Sequence, residues 1–236
     1  MELSALSAAR RDPNLVVLEG FHAIKHALRF GGHMLAAWTA QPDELEALRS
    51  RLAPDIQLPV QVVAADELTT AAPRCQVVGV ARRPAQPDTH AVLAGPGHVV
   101  FLENPRHLGN LGAVVRVAAA AGAAGVFSSG TVDPWHPDVL RGSAGLHFAL
   151  PVHHVDHIVT GSRELIAVDP EGDPLSPAAI PEAAVLAFGT ERDGLSDRVL
   201  AAADRRVALP MAPGVSSLNL ATSVAATLYA LRFGGG

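Results

Sequence analysis

Residues 99–116 read VVFLENPRHLGNLGAVVR. The apolar run Val99–Leu102 predicts a buried strand, and the Asn, Pro and Gly residues that follow it predict a turn. From Leu111 to Phe127 every residue is apolar or glycine except Arg116, which predicts a helix running into a further strand at Val126–Ser128. A strand, a short turn, a helix and a second strand form the unit from which parallel sheets are built.

The same alternation continues on both sides of this segment, so the predicted fold class is α/β with a mainly parallel sheet covered on both faces. Ligands of such sheets bind at the carboxyl ends of strands. The predicted later elements are strands at Phe148–Leu150, Leu165–Val168, Val185–Phe188 and Arg206–Leu209, and a closing helix from Ser217 to about Phe233. The predicted earlier elements are strands at Leu15–Leu18, Met34–Thr39, Val60–Ala64 and Val77–Ala81, and helices at Phe21–Phe30 and Pro42–Arg51.

Proline and glycine are concentrated between Arg82 and Gly97, which indicates a linker. We therefore expect a small α/β domain over residues 1–84, a linker over 85–97 and a larger domain over 98–236. The chain has 236 residues, a length that two domains can fill.

Composition limits the classes of function. Hydrophobic residues make up 49% of the chain, which excludes a mainly disordered protein. The formal net charge is -5, Lys25 is the only lysine, and neither predicted domain is basic. A protein that holds nucleic acid mainly by releasing counterions would carry a basic surplus, so bulk electrostatic binding is excluded. Arginine still suits a few fixed phosphate contacts.

Cysteine usage and hydropathy predict the compartment. Cys75 is the only cysteine, so neither an intrachain disulfide nor a site built on several thiolates is possible. Met1–Arg11 lacks the apolar segment of a signal peptide, and no apolar run reaches the length of a membrane span. We expect a cytoplasmic protein without membrane contact.

Arg116 is the charged residue of an otherwise apolar predicted helix. Helices that are apolar all round are buried, and a buried arginine needs a partner because its desolvation costs several kcal/mol. We therefore expect Arg116 to meet an anion, either a neighbouring acidic residue or a ligand. Asn110 lies near the start of the same helix, where its simplest role is an N-cap.

Two further loops follow predicted strands. Gly189, Thr190, Glu191 and Gly194 lie in the first, where the glycines permit a tight turn and close approach of the backbone to a ligand. The second runs from Leu209 to Asn219; Ser216 or Ser217 is expected to cap the closing helix, while Asn219 interrupts an apolar first turn.

The three loops together resemble the three motifs of the SpoU (TrmH) family of RNA ribose 2'-O-methyltransferases, in the SPOUT superfamily. Asn110, Gly112, Ala113 and Arg116 match Asn-x-Gly-Ala-x-x-Arg, and Gly189, Glu191 and Gly194 match Gly-x-Glu-x-x-Gly. The third motif is matched by Pro210, Met211, Ser217, Leu218 and Asn219. Residues 141–145 (Arg-Gly-Ser-Ala-Gly) resemble a further family segment, and residues 19–24 and 78–81 resemble an L30e-like RNA-binding domain.

The resemblance implies a trefoil-knotted methyltransferase domain after the L30e-like domain, a homodimer with the active site at the subunit interface, and S-adenosyl-L-methionine in the knot. It implies a structured RNA as substrate, either rRNA or tRNA. The motif match assigns the cofactor mainly to Gly189, Leu209 and Leu218, with Thr190, Glu191, Met211 and Asn219 nearby.

The resemblance also assigns the catalytic roles to Arg116, Asn110, Glu191, Ser217 and Asn219. A guanidinium is effectively always protonated, so Arg116 is easier to understand as an anchor for the substrate phosphate that polarises the 2'-hydroxyl than as a base.

Two alternatives remain. One is a family member that has lost activity and only binds RNA. The other is a nicotinamide-dependent oxidoreductase, but residues 109–112 lack the G-x-G-x-x-G pattern that such an enzyme needs. His153, His154 and His157 are expected to be solvated helix residues, because no carboxylate or thiolate set accompanies them; we expect no metal.

Overall fold

The computed structural model describes residues 1–190 and 192–234. Within these residues the chain forms ten strands and nine α-helices in the alternating order that the sequence predicts. The strands are β1 Leu15–Glu19, β2 Met34–Thr39, β3 Gln61–Val62, β4 Val77–Arg82, β5 Val99–Leu102, β6 Gly125–Ser128, β7 Val152–His154, β8 Leu165–Pro174, β9 Val185–Phe188 and β10 Arg205–Ala208. The helices are α1 Leu6–Ala9, α2 Phe21–Arg29, α3 Pro42–Leu52, α4 Ala65–Ala71, α5 Thr89–Ala94, α6 Leu108–Ala121, α7 Pro137–Gly142, α8 Asp197–Ala202 and α9 Leu220–Gly234.

The chain divides into two compact units. The first contains Met1–Ala85 together with Trp135–Ala149, and the second contains Gln86–Pro134 together with the chain from Leu150 onward. The expected linker, 85–97, contains α5, which begins after Asp88 because the Asp88 carboxylate accepts a hydrogen bond from the His90 amide at 3.0 Å.

The first unit is built on a four-stranded sheet in the order β1-β4-β2-β3, with Trp38 fully buried in its core. The Arg-Gly-Ser-Ala-Gly segment belongs to this unit. Arg141 donates to Glu19 at 3.3 Å, and Ser143 bonds the ring of His147 at 2.7 Å. A Cβ on Gly145 would lie 2.5 Å from the Ala23 carbonyl oxygen, so only glycine allows this approach.

The second unit contains a six-stranded sheet in the order β10-β8-β9-β5-β6-β7, and every neighbouring pair is parallel. All residues of β5, β6 and β9 are buried, as expected for the central strands of a sheet covered on both faces. Parallel pairing brings the carboxyl ends of β5, β8, β9 and β10 to one edge. The sequence-based prediction of an α/β fold with a parallel sheet is confirmed.

Two local predictions are wrong. Phe148–Leu150 is not a strand: Leu146–Phe148 forms a 3-10 turn in the first unit, and β7 begins at Val152. His153 and His154 lie on β7, not on a helix; His154 bonds the Gly130 carbonyl at 2.6 Å, and burial lowers the pKa of His153. Short apolar runs do not distinguish a strand from a turn that packs against another part of the chain.

Arg163 is a buried charge that the sequence analysis did not identify. It is 8% exposed, and its guanidinium donates to the carbonyl oxygens of Val92, Leu93, Gly95 and Gly97 at 2.5–3.1 Å. These carbonyls belong to the end of α5 and the turn after it, where backbone acceptors lack helical partners. Burial lowers the pKa of Arg163, and the four carbonyls stabilise its charge in place of water. Arg163 therefore holds the end of α5 against the segment that precedes β8.

We expect Arg163→Met to lower the free energy of unfolding by about 2–5 kcal/mol, because several buried carbonyls would lose their donor. Urea denaturation measures this change. Arg198→Met, which replaces an exposed arginine on α8, is the matched control and is expected to change stability by less than ~0.5 kcal/mol. Equal effects of the two substitutions would contradict the role given to Arg163.

Candidate functional site

The loop after β9 closes on itself through its backbone. Thr190 and Gly194 exchange two backbone hydrogen bonds, at 3.1 and 3.2 Å. A Cβ on Gly189 would lie 1.9 Å from the Gly194 carbonyl carbon, and Gly194 has a φ of +66°. Both glycines are therefore required, one by contact and one by conformation. Glu191, predicted as a catalytic and cofactor-binding residue, lies outside the described residues.

Glu103, the first residue after β5, ties this loop to the neighbouring strand. Its two carboxylate oxygens accept hydrogen bonds from the amide and the hydroxyl of Ser196, each at 2.7 Å. The Ser196 hydroxyl also accepts from the Val199 amide at 3.3 Å and so caps α8. The two hydrogen bonds between Ser196 and Glu103 fix the end of the loop beside β5.

Asn219 joins the first and third loops. Its side-chain oxygen accepts from the amides of Ala221 and Thr222, at 2.9 and 3.4 Å, so Asn219 caps α9. The expectation that Ser216 or Ser217 is the N-cap is therefore wrong, since α9 begins three residues later than predicted, at Leu220. The Asn219 side-chain nitrogen donates to Asn110 Oδ1 at 3.1 Å.

Asn110 lies in the first turn of α6 and does not cap it, because the helix begins at Leu108 after His107. The Asn110 side chain is therefore available for the bond from Asn219, which links two segments 109 residues apart in the chain.

A cavity of about 390 Å³ opens at the carboxyl ends of β9 and β10, beside the middle of β8. This volume lies within the roughly 300–1,000 Å³ of small-molecule sites. Six of the residues assigned as catalytic or cofactor-binding line it: Gly189, Thr190, Leu209, Met211, Ser217 and Leu218. The lining residues that were not assigned to the site include Val168, Asp169, Pro170, Arg192, Ser216 and Ser223. The first three could have been found from their position at the end of a predicted strand.

Arg116 is not among the residues that line this cavity, and its expected burial is wrong. The side chain is exposed, as is that of Ala120 one turn later, so α6 keeps one open face in this chain. Arg116 makes no hydrogen bond or ion pair with any residue in the described ranges. The apolar composition of the helix did not reveal this face, because alanine and glycine are tolerated at exposed as well as buried positions.

The described part of the chain contains no group of three or more His, Cys, Asp or Glu residues that could hold a metal ion. It also contains no helix that is long and apolar enough to cross a bilayer. The cavity wall contains the hydroxyls of Thr190 and three serines and the charged side chains of Asp169 and Arg192.

Comparison with known proteins identifies the family. The model of the SpoU rRNA methylase family matches residues 97–229, more than half of the chain. The chain belongs to the SpoU rRNA methylase family. The resemblance seen in the three motifs is thereby confirmed.

The chain is also similar in sequence to individual methyltransferases. The chain is 36% identical over 155 residues to an uncharacterized tRNA/rRNA methyltransferase of Synechocystis, covering 62% of this chain and 55% of that protein. It is 27% identical to the 23S rRNA (guanosine(2553)-2'-O)-methyltransferase RlmP of Bacillus subtilis, covering 94% and 90%. The chain thus spans about half the length of curated relatives such as the Synechocystis protein.

Among solved structures, the SpoU methyltransferase AviRb from Streptomyces viridochromogenes, in complex with AdoMet, superposes with a TM-score of 0.80. The sequence identity is 25%, and the match covers 98% of this chain and 97% of AviRb.

The two glycines of the SpoU loop after β9 give a paired prediction. We expect Gly189→Ala to destabilise the protein by more than about 3 kcal/mol, because the added methyl group meets backbone that cannot rotate away. Gly194→Ala meets no atom within 4 Å and should cost only roughly 1–2 kcal/mol, for the left-handed conformation. Thermal unfolding of both variants measures the difference; an equal loss, or a larger one for Gly194→Ala, would contradict the loop geometry.

Proposed function

We propose that this SpoU family chain is an S-adenosyl-L-methionine-dependent RNA methyltransferase that transfers a methyl group to a ribose 2'-hydroxyl of rRNA or tRNA in the cytoplasm. The relative RlmP is named for this reaction on 23S rRNA, and AviRb was solved with AdoMet. The observation that carries the proposal is the cavity at the ends of β9 and β10 and the middle of β8, beside which Asn219 bonds Asn110 at 3.1 Å.

The cavity suits S-adenosylmethionine in its chemistry. Gly189, Leu209 and Leu218 line it at strand ends and in the third loop, where backbone N–H and C=O groups are free to bond the polar edge of adenine. Thr190 and Met211 line the same cavity, and Asn219 lies next to Leu218. When bound, the cofactor supplies a methyl group activated by its sulfonium. We also assign Glu191 to the site, from the motif match alone.

The chain's own contribution is to hold the ribose hydroxyl in line with the methyl group and to stabilise the charge that develops on its oxygen. Asn110, Ser217 and Asn219 orient the loops and the substrate. Arg116, exposed and without a partner among the described residues, is available to bind an RNA phosphate. A protonated guanidinium near the hydroxyl lowers the cost of its deprotonation without acting as the base, and the proton passes to solvent water as the methyl group is transferred.

We propose that the active unit is a homodimer, as the family resemblance implies. The third loop and the last helix carry exposed apolar side chains: Val215 is 50% exposed, Leu218 40% and Phe233 78%. A second copy that covered them would also bring a further surface to the open face of α6 around Arg116. A shared groove would collect arginines that are too sparse on one chain to attract RNA.

We further propose the trefoil knot that the resemblance implies. β10 is the edge strand of the sheet, yet α9 packs against α6, the helix that follows the central strand β5. The chain therefore returns from the edge to the centre through residues 209–219, which is the path that a threaded loop requires. We also propose the first unit, with its four-stranded sheet, as the RNA-binding domain.

The cofactor assignment gives a direct binding prediction. Isothermal titration calorimetry should detect S-adenosylmethionine with a Kd in the tens of micromolar or tighter, and no binding of NAD. Binding of NAD in place of S-adenosylmethionine would support the oxidoreductase alternative. Binding of neither would contradict the cavity's proposed role.

The catalytic assignment predicts that Arg116→Ala abolishes methyl transfer to RNA while the affinity for S-adenosylmethionine stays near that of the wild type, because Arg116 does not line the cavity. Transfer of a radioactive methyl group to rRNA and tRNA lacking the modification measures the first quantity, and calorimetry the second. Arg198→Ala, on α8, is the matched control and should keep full activity.

Retained turnover in Arg116→Ala would overturn the role of this residue. A wild-type chain that binds RNA and S-adenosylmethionine but transfers no methyl group would favour the inactive RNA-binding alternative. Mapping the 2'-O-methyl sites that disappear from cellular RNA in a deletion strain identifies the nucleotide.

A further inference from the structure

The pairing of strand β8 with β10 is interrupted midway and then resumes. Arg206 of β10 pairs with Ala167, but the next residue, Val207, pairs with Asp173. The five residues between these pairs, 168–172, form a bulge in β8. The bulge places Val168, Asp169 and Pro170 at the wall of the cavity. A Cβ on Gly172 would lie 2.5 Å from the Val207 amide, so this glycine allows the strand to rejoin β10.

The carboxylate of Asp169 is held through one of its two oxygens. Oδ1 accepts from Arg206 Nε at 2.9 Å, from Arg206 Nη2 at 2.6 Å and from the Glu171 amide at 2.9 Å. No donor from the described residues reaches Oδ2. The side chain is only 12% exposed and lines the cavity, so Oδ2 is left as an acceptor for a hydrogen-bond donor bound there.

Charge limits which donor suits this oxygen. Among the described residues that line the cavity, Asp169 is the one carboxylate. Its negative charge is partly offset by the Arg206 guanidinium, whose pKa is raised by the hydrogen bonds that it donates to Asp169. The pair attracts a cation weakly but leaves a strong acceptor in place, which favours a neutral hydroxyl over an ammonium group.

We propose that Asp169 Oδ2 accepts a hydrogen bond from a ribose hydroxyl of the cofactor, making Asp169 a cofactor-binding side chain in a site otherwise described by backbone contacts. An acidic side chain at a strand end that binds a ribose hydroxyl is a solution that other nucleotide-binding α/β sheets also use. This inference rests on the proposed function, since it takes the cavity to be the S-adenosylmethionine site.

The test measures binding, by calorimetry, of S-adenosylhomocysteine and of three analogues: the 2'-deoxy form, the 3'-deoxy form and a form without the α-amino group. For the wild type, one of the deoxy forms should bind about tenfold to a hundredfold more weakly, the usual range for a hydrogen bond to a charged group. Asp169→Ala should weaken S-adenosylhomocysteine by a similar factor and lose its sensitivity to that hydroxyl.

Glu171→Gln is the matched control. Glu171 also bonds Arg206, at 2.9 Å, but it is exposed and is not part of this cavity's wall. Glu171→Gln should leave the affinities for S-adenosylhomocysteine and its three analogues unchanged. Asp169→Asn keeps the shape of the side chain and supplies the same comparison if the alanine variant unfolds early, which circular dichroism shows.

Three results would overturn the proposal. The first is an unchanged affinity for S-adenosylhomocysteine in both Asp169 variants, and the second is an equal loss of affinity, in the wild type and in the variants, when the hydroxyl is removed. The third is that the variants lose their sensitivity to the α-amino group instead of the hydroxyl. In each of these the wild type still binds S-adenosylhomocysteine, so the proposed function survives. A wild type that binds none of the four compounds removes both proposals together.

Discussion

Parallel pairing of β8, β9, β5 and β10 is the constraint on which the rest of the second unit depends. Because neighbouring strands run in one direction, the loops after them emerge at one edge, and segments from residue 103 to residue 219 meet there. Few strong side-chain interactions then suffice to hold the loops. Glu103 with Ser196 and Asn110 with Asn219 each connect two loops that the sheet has already brought together.

The wall of the cavity depends on backbone geometry more than on side chains. The loop after β9 closes by two amide–carbonyl bonds between Thr190 and Gly194, and it closes only because Gly189 has no Cβ. Backbone groups held in this way cannot be removed by substitution of a side chain, but a side chain at Gly189 would clash with the backbone of Gly194. This explains why two glycines at fixed spacing are more informative than any charged residue of the loop.

The two arginines of the second unit with the clearest roles differ in their partners. Arg163 is buried and satisfies four backbone carbonyls, so it stabilises the fold. Arg116 is exposed and makes no hydrogen bond or ion pair with a described residue, so it is available for a substrate. The sequence pattern predicts burial for Arg116 and gives no indication of it for Arg163. The local pattern around an arginine does not reveal whether distant carbonyls converge on it.

The amino-acid sequence by itself determined the alternation of strands and helices, the parallel sheet, the three loops and the family, because hydrophobic periodicity and glycine spacing are local properties. It also selected six residues that line the cavity. Only the tertiary structure decided that Trp135–Ala149 packs with the first unit, that Asn219 caps α9 while bonding Asn110, and that β8 carries Asp169 to the cavity wall. These features arise from contacts between residues far apart in the chain, and their partners leave no mark on the local pattern.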